Sequence, residues 1–138
     1  MAITYTDNFA NEVLDTGFDA IFNSGKLRIY SGSKPATANL ASTGTLLWEE
    51  DLPADAFSAA AARAKAKAGT WQANGAAAGT AGWFRLCKAS DTNAVTQAES
   101  RVDGTVTATG SGGDMTLDNT SIAVGQSVTV NTFSVSLP

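Results

Sequence analysis

Most of the chain is a succession of short runs in which apolar and polar residues alternate, separated by glycine, asparagine and aspartate. Residues 26–30 place Leu27 and Ile29 on one face, which is the period of a half-buried β-strand. Residues 83–87 are almost continuously apolar and are broken only by Arg85, as in a central strand. The same signals predict further strands at 45–52, 94–99, 102–109, 114–118, 122–124 and 127–137. About eight short strands with such turns favour an antiparallel β-sandwich or jelly roll.

The amino-terminal segment has a helical period instead. From Asp7 to Phe22 the apolar residues recur at spacings of three and four, which predicts an amphipathic helix. Asp7 or Asn8 is placed to cap its start, and Gly25 to end it in the left-handed conformation. Gly17 costs about 1 kcal/mol relative to alanine in a helix interior, so two shorter helices remain an alternative.

Residues 59–68 combine two conflicting signals. Their alanine content favours a helix by propensity alone. Arg63, Lys65 and Lys67, however, recur at every second residue with alanines between them, which on a strand places the charges on one face. We predict a strand that continues into residues 70–72, with a helix as the alternative.

The last strand changes phase along its length. Val128 and Val130 share one face, whereas Phe133 and Val135 have the opposite parity. A shift of one residue exchanges the buried face of a strand, and an extra residue in a β-bulge restores it. We therefore predict a bulge near residues 131–132.

The length and composition exclude several classes of protein. A chain of 138 residues is the size of one domain, which we divide into a helical segment (1–25) and jelly-roll-like strands (26–138). The absence of histidine and the lone Cys87 remove the commonest catalytic bases, metal ligands and disulfides. A net charge of −4 argues against nucleic acid as the partner. No apolar run approaches the ~18 residues of a membrane span, and no signal peptide is recognised. We expect a protein that is not an enzyme, without cofactor or metal.

Carboxylates and aromatic residues are the remaining candidates for chemistry. Asp114 and Asp118 lie four residues apart, but nothing in the sequence places a pair beside a sugar-binding cleft or in a calcium loop. Trp48, Trp71 and Trp83 are expected in the core or in a subunit interface, with sugar stacking as the alternative. Cys87 is expected to be a buried and inert thiol, because no histidine or second cysteine can activate it.

Two charged segments are the candidate partner interface. The basic one is the stripe of Arg63, Lys65 and Lys67, and the acidic one consists of the consecutive residues Glu49, Glu50 and Asp51. Charge on an edge strand protects it from non-specific pairing, so a solvated edge is the simpler explanation of both. A face for a protein partner is the functional alternative, and the amino-terminal helix is a third candidate for such contacts.

Three segments resemble a known family of structural proteins. They are Leu27-Arg28-Ile29-Tyr30-Ser31-Gly32-Ser33-Lys34-Pro35, Gly79-Thr80-Ala81-Gly82-Trp83-Phe84-Arg85-Leu86, and Gly113-Asp114-Met115-Thr116-Leu117-Asp118-Asn119-Thr120-Ser121-Ile122 with Val124-Gly125-Gln126-Ser127-Val128-Thr129-Val130. These segments resemble small proteins of tailed-phage and prophage virion modules. The size and pattern are closest to the capsid cement (decoration) protein of Bordetella-type short-tailed phages.

The resemblance implies a jelly-roll-like fold on the outer surface of an icosahedral head. The protein would be made in the host cytoplasm. On the head it would bridge neighbouring major capsid protein subunits and associate with itself as a homodimer. No site motif is carried over from the family. A tail or baseplate component of the same virion module is one alternative, and a carbohydrate-binding β-sandwich that uses Trp48 or Trp71 is another.

Overall fold

The computed structural model describes residues 3–9, 13, 17–61 and 64–136, and its regular structure is mainly β. One short helix has both of its ends within these residues, α1 (Phe18–Phe22). The described strands are β1 (Thr4–Tyr5), β2 (Lys26–Ser31), β3 (Leu46–Asp51), β4 (Ala64–Ala66), β5 (Gln72–Asn74), β6 (Gly79–Cys87), β7 (Arg101–Ala108), β8 (Met115–Leu117), β9 (Ser121–Ile122) and β10 (Ser127–Ser136).

The strands form one curled sheet. Its order is β3-β2-β6-β7-β8-β10-β4, with β1 paired to β7, β5 to β10 and β9 to β6. The curl brings β3 back against β5, where the Trp48 indole Nε1 donates to the carbonyl of Ala73 at 3.0 Å and the Ala76 N–H donates to the carbonyl of Leu47 at 2.8 Å. The prediction of a mainly β domain is confirmed. The pairs are not all antiparallel, however, because β7 and β8 run parallel.

The central strands β2, β6 and β7 have two different buried faces. The inner face packs into the apolar core, and its cross-strand rows include Leu27, Leu86 and Val102. Leu27 and Ile29 are both fully buried there, as the alternation of residues 26–30 predicts. The outer face carries the alternate residues, including Arg28, Tyr30, Trp83, Arg85 and Asp103.

The predicted bulge in the last strand is confirmed. The pairing of β10 with β8 shifts register between Val130 and Thr132. Because of this shift, Val130 and Phe133 are both buried although their sequence parity differs. The full length of β10 therefore contributes to the core on one side.

The amino-terminal segment is not one continuous helix. Gly17 has a φ of +83°, which ends any helical path there, so α1 begins at Phe18 and the alternative of an interruption at Gly17 is confirmed. The cap before residues 7–9 is Thr6, whose Oγ1 accepts from the Phe9 N–H at 3.1 Å, and not Asp7 or Asn8. Residues 10–12 and 14–16 lie outside the described part of the chain.

The end of α1 also differs from the prediction. Ser24 adopts the left-handed conformation (φ 60°), whereas Gly25 does not. Gly25 is needed for a close approach instead, because a Cβ there would lie 2.5 Å from the carbonyl oxygen of Cys87.

Residues 64–67 and 71–74 lie along β10 and are hydrogen-bonded to it. β4 pairs with residues 134–136 and β5 with residues 127–129, while Gly69 (φ +65°) separates the two short strands. The strand prediction is confirmed for residues 64–66, but the predicted continuation into residues 70–72 is interrupted at Gly69. The helical alternative is wrong for the described residues, since none of residues 59–61 and 64–72 is helical.

Residues 94–99 do not form the predicted strand. They belong to an irregular segment between β6 and β7, and several of their polar groups bond to side chains rather than to a neighbouring strand. β7 itself runs without interruption through Asp103 and Gly104. Gly104 permits this because a Cβ there would lie 2.6 Å from the Phe84 ring.

Candidate partner interface

The two charged segments lie at opposite ends of the order of paired strands. Glu49, Glu50 and Asp51 are on β3, which is first in that order, and Lys65 is on β4, which is last. Edge strands are where charge prevents non-specific pairing and where a partner gains access. Both segments therefore lie on terminal strands of this order. Among the described residues, no ion pair joins Glu49, Glu50 or Asp51 to Lys65 or Lys67.

The acidic segment is largely paired within the chain. Lys26 Nζ lies 3.2 Å from Glu49 Oε1 and 2.5 Å from Asp51 Oδ1, and Arg28 Nε lies 2.6 Å from Glu49 Oε2. Burial alone would raise the pKa of Glu49, but hydrogen bonds from Arg28 and Lys26 hold it below its usual value. Glu50 behaves differently, since burial and the neighbouring charge of Asp51 raise its pKa.

The basic segment is also engaged internally. Lys65 Nζ lies 2.9 Å from Asp19 Oδ1 and donates to the Ser58 carbonyl at 2.8 Å. Lys67 Nζ donates to the Gly69 carbonyl at 2.7 Å. Arg63 lies outside the described residues, so its place in the stripe stays a prediction. The described part of the stripe is therefore tied to the chain's own helix and loops.

A row of charged residues crosses the outer face of the sheet. The register of the four strands from β3 to β7 places Glu49, Arg28, Arg85 and Asp103 side by side. Arg85 and Asp103 are fully buried and form a two-pronged pair, Nε to Oδ1 and Nη2 to Oδ2, each at 2.8 Å. Burial raises the pKa of Asp103 despite the adjacent Arg85. The sequence signal for this pair is a lone arginine within an apolar strand.

Arg101 forms a second buried centre beside that row. Its Nε donates to Asp91 Oδ2 at 2.6 Å, its Nη1 donates to the Ala94 carbonyl at 2.9 Å, and its Nη2 pairs with Glu99. Burial by itself would raise the pKa of Asp91, but the hydrogen bonds from Arg101 lower it overall. No local sequence pattern marks any of these residues as functional.

These arginines fasten two loops over the outer face. Loop A (residues 32–45) follows β2, and loop B (residues 88–100) follows β6. Arg85 Nη2 donates to the Leu40 carbonyl of loop A at 3.0 Å, and Arg85 Nη1 donates to Asn93 Oδ1 of loop B at 3.1 Å. The loops also bond directly, since the Thr96 N–H donates to the Asn39 carbonyl at 2.8 Å. Together they cover the outer face with fixed backbone.

The tryptophans are part of the buried structure. Trp48, Trp71 and Trp83 are each fully buried. The expectation of a core position is confirmed for Trp48 and Trp71, whereas Trp83 is buried on the outer face of the sheet. Trp83 stacks on Tyr30 with ring centroids 4.5 Å apart, and the Arg85 guanidinium carbon lies 5.5 Å from its ring centre. The carbohydrate-binding alternative therefore loses the exposed indoles on which it depended.

The other candidates for chemistry are also held in place. Cys87 is fully buried, and burial raises the pKa of its thiol to about 12, as expected for an inert cysteine. Asp114 accepts from the Thr105 N–H at 2.9 Å, and Asp118 accepts from Asn131. Within residues 3–9, 13, 17–61 and 64–136, no group of three or more histidine, cysteine or carboxylate side chains is arranged to hold a metal ion.

Comparisons with known protein families, with curated proteins and with solved structures found no match. In the described part of the chain, no helix has the length and apolar character needed to span a membrane. The contacts and charges above, together with the sequence resemblance, are thus the basis for a proposal about function.

Proposed function

We propose that this protein is a capsid cement protein, which binds the outer surface of an icosahedral virus head and bridges major capsid protein subunits. The observation that carries the proposal is that the resembling segments are neighbours in space. β2 from the first segment pairs with β6 from the second, and β6 pairs with β9 from the third. The resemblance therefore covers one connected part of the sheet, as expected if it reflects a shared fold.

The physical properties of the domain suit such a role. A cement protein needs a rigid body and contacts to more than one subunit, but no turnover. Here both faces of the central strands are buried, one by apolar packing and one by paired charges under two fastened loops. A rigid domain loses little conformational freedom on docking, which favours binding.

Bridging also lowers the affinity that each individual contact needs. Once one contact to the shell is made, a second contact on the same rigid domain forms at high effective concentration. An interface of about 1,600 Å² in total is enough for a specific complex. The charged edges of β3 and β4 remain candidates for peripheral contacts of this kind, and self-association as a homodimer would add further bridges.

Co-expression with the major capsid protein encoded in the same genome tests the proposal. Assembled shells are purified by sedimentation, and the positions of the bound chain are read from a cryo-EM map. Density repeated over the outer surface of the head supports a cement protein. Density at a single vertex or along a tail replaces the proposal with the tail or baseplate alternative, and particles without the chain reject both.

The charged edge has its own test in the same assay. Reversal of Arg63, Lys65 and Lys67 to glutamate should weaken occupancy of the shell if this edge contacts a neighbour. The matched control is Arg63→Lys/Lys65→Arg/Lys67→Arg, which changes the same three side chains but keeps their charge. Unchanged occupancy for the triple glutamate variant removes this edge from the interface without affecting the rest of the proposal.

A further inference from the structure

The curled sheet closes on itself along a line that has no strand pairing. In the described part of the chain, β3 pairs with β2 and β5 pairs with β10, but β3 and β5 lie next to each other without forming a ladder. We call this line the seam; it separates residues 46–51 from residues 72–77. Paired strands are held by a repeated series of backbone hydrogen bonds, and the seam lacks such a series.

One side chain links β3 to two other strands across the seam. The indole N–H of the fully buried Trp48 is shared between two carbonyls, that of Ala73 on β5 at 3.0 Å and that of Val128 on β10 at 3.2 Å. A second side chain of β3 takes part, because the Gln72 backbone hydrogen-bonds the Glu50 carboxylate. Removal of the indole donor would leave both carbonyls without it, which costs free energy in a buried site.

The loop after β5 is attached on both sides of the seam. The Ala76 N–H crosses the seam and donates to the Leu47 carbonyl at 2.8 Å, and the Ala77 N–H reaches the same carbonyl at 3.5 Å. The preceding Gly75 N–H does not cross it, since it donates to the Gln126 carbonyl at 2.7 Å, in the turn before β10. Two consecutive amides thus make bonds of similar length to opposite sides of the seam.

We propose that the seam is a line of local opening in this fold, and that Trp48 is the residue that holds it closed. Proteins open in cooperative units, and a boundary without a ladder separates with fewer broken bonds than the paired strands β2–β3 or β5–β10. Such an opening exposes the outer edges of β3 and β5, and an exposed strand edge is a template for pairing with another strand. The inference concerns the isolated chain and does not depend on the proposed function.

Two matched tryptophan substitutions test the role of Trp48. Trp48→Phe removes the indole N–H and keeps an aromatic ring in the core. Trp71→Phe is the control, because Trp71 is also fully buried in that core but its Nε1 has no hydrogen-bond partner among the described residues. Each change replaces an indole by a smaller ring, so the difference between the variants reports the two hydrogen bonds of Trp48. Thermal unfolding checks that both variants fold.

Amide hydrogen exchange of Ala76 and Gly75, followed by NMR, measures the opening. Each rate is divided by the intrinsic rate of that amide, and the ratio of Ala76 to Gly75 cancels global unfolding, which exposes both. In the unaltered chain we expect Ala76 to exchange at least about tenfold faster than Gly75. Trp48→Phe should raise this ratio by at least a further factor of about five, and Trp71→Phe should leave it within about twofold.

Two results would overturn the inference. If Ala76 exchanges no faster than Gly75 in the unaltered chain, the seam does not open before the rest of the sheet; this comparison decides the matter even if Trp48→Phe does not fold. If the ratio is the same in Trp48→Phe as in the unaltered chain, or changes equally in both variants, Trp48 does not hold the seam closed. Neither result bears on binding to shells, which the co-expression assay measures separately.

Discussion

The two faces of the central strands β2, β6 and β7 are both buried, but by different means. The inner face joins a continuous apolar core that includes Leu27, Phe84 and Phe133. The outer face holds two fully buried arginines with their carboxylate partners, under loops A and B. Apolar packing tolerates exchange of neighbours of similar volume, whereas a buried charge requires one specific partner. The inner face therefore supplies apolar stabilisation, whereas the outer face also holds loops A and B in position.

The largest effect is expected from a cavity in the inner face. Phe133 is 2% exposed, and its ring centre lies 5.1 Å from that of Trp71 and 5.5 Å from that of Phe84. Phe133→Ala should lower the free energy of unfolding by about 3–5 kcal/mol, because the surrounding rings cannot close the cavity. Urea unfolding measures the loss. The exposed Val124→Ala should change it by less than about 0.5 kcal/mol, and an equal loss in both variants would contradict the assignment of the core.

A somewhat smaller effect is expected from the outer face. Arg85→Met leaves Asp103 buried without its partner and should lower the free energy of unfolding by about 3 kcal/mol, at the low end for a broken buried pair because Arg101 still acts on Asp103. The double variant Arg85→Met/Asp103→Leu removes both charges and should recover most of this loss. Both are measured by urea unfolding. A double variant as unstable as the single one would show that the pair itself, and not the stranded carboxylate, determines the stability.

Acid should weaken the stability contributed by the outer face more than that contributed by the inner face, because the ionisable pairs are on the outer face. The pKa values of Asp91 and Glu49 are lowered in the folded chain by their basic partners, so the stability they contribute is present above the unfolded pKa and lost as pH falls through the folded one. The raised pKa values of Asp103 and Glu50 act in the opposite sense and reduce this loss. We expect net destabilisation between neutral pH and pH of about 3.

Thermal unfolding across that pH range measures the acid effect. Asp91→Asn should show a shallower fall in stability with acid than the unaltered chain, since one of the responsible carboxylates is gone. Phe133→Ala, which changes only apolar packing, should keep the slope of the unaltered chain. A slope for Asp91→Asn equal to that of the unaltered chain would mean that the outer-face ion pairs do not set the acid sensitivity.

The smallest effect on the free energy of unfolding is expected from the exposed ion pair between Asp51 and Lys26. Asp51 pairs with Lys26 at 2.5 Å, but its side chain is 81% exposed. Asp51→Asn should lower the free energy of unfolding by no more than about 1 kcal/mol, and less at high salt, because solvent screens the pair. Denaturant unfolding at two salt concentrations measures it. A loss as large as that of Arg85→Met would show that exposure does not distinguish the two ion pairs.

Local patterns predicted much of the inner face. Alternation placed Leu27 and Ile29 in the core, and the change of parity between Val130 and Phe133 located the bulge in β10. These features depend only on the two-residue period of a strand, which neighbouring residues express directly. The interruption at Gly17 was likewise among the sequence alternatives, because glycine destabilises a helix wherever it occurs.

The candidate interface was less predictable, because its contacts join residues that are far apart in the sequence. Charge alternation identified Lys65 and Lys67 as a stripe, but not that Lys65 meets Asp19 from the helix α1. The irregular backbone of residues 94–99 is held by Arg101, whose contacts override the local strand signal. The contacts that fasten loops A and B were not predicted either, since Arg85 and Arg101 reach the Leu40 carbonyl only in the folded chain.

The sequence by itself determined which residues alternate and which residue types are absent. Tertiary structure alone decided that the sheet curls, that β7 and β8 run parallel, and that Arg85 meets Asp103 across the strand pair β6–β7. The reason is that periodicity is a property of neighbouring residues, whereas the partner of a buried charge depends on strand register. Register is set by the whole core, and with it the rigidity of the loops above the outer face.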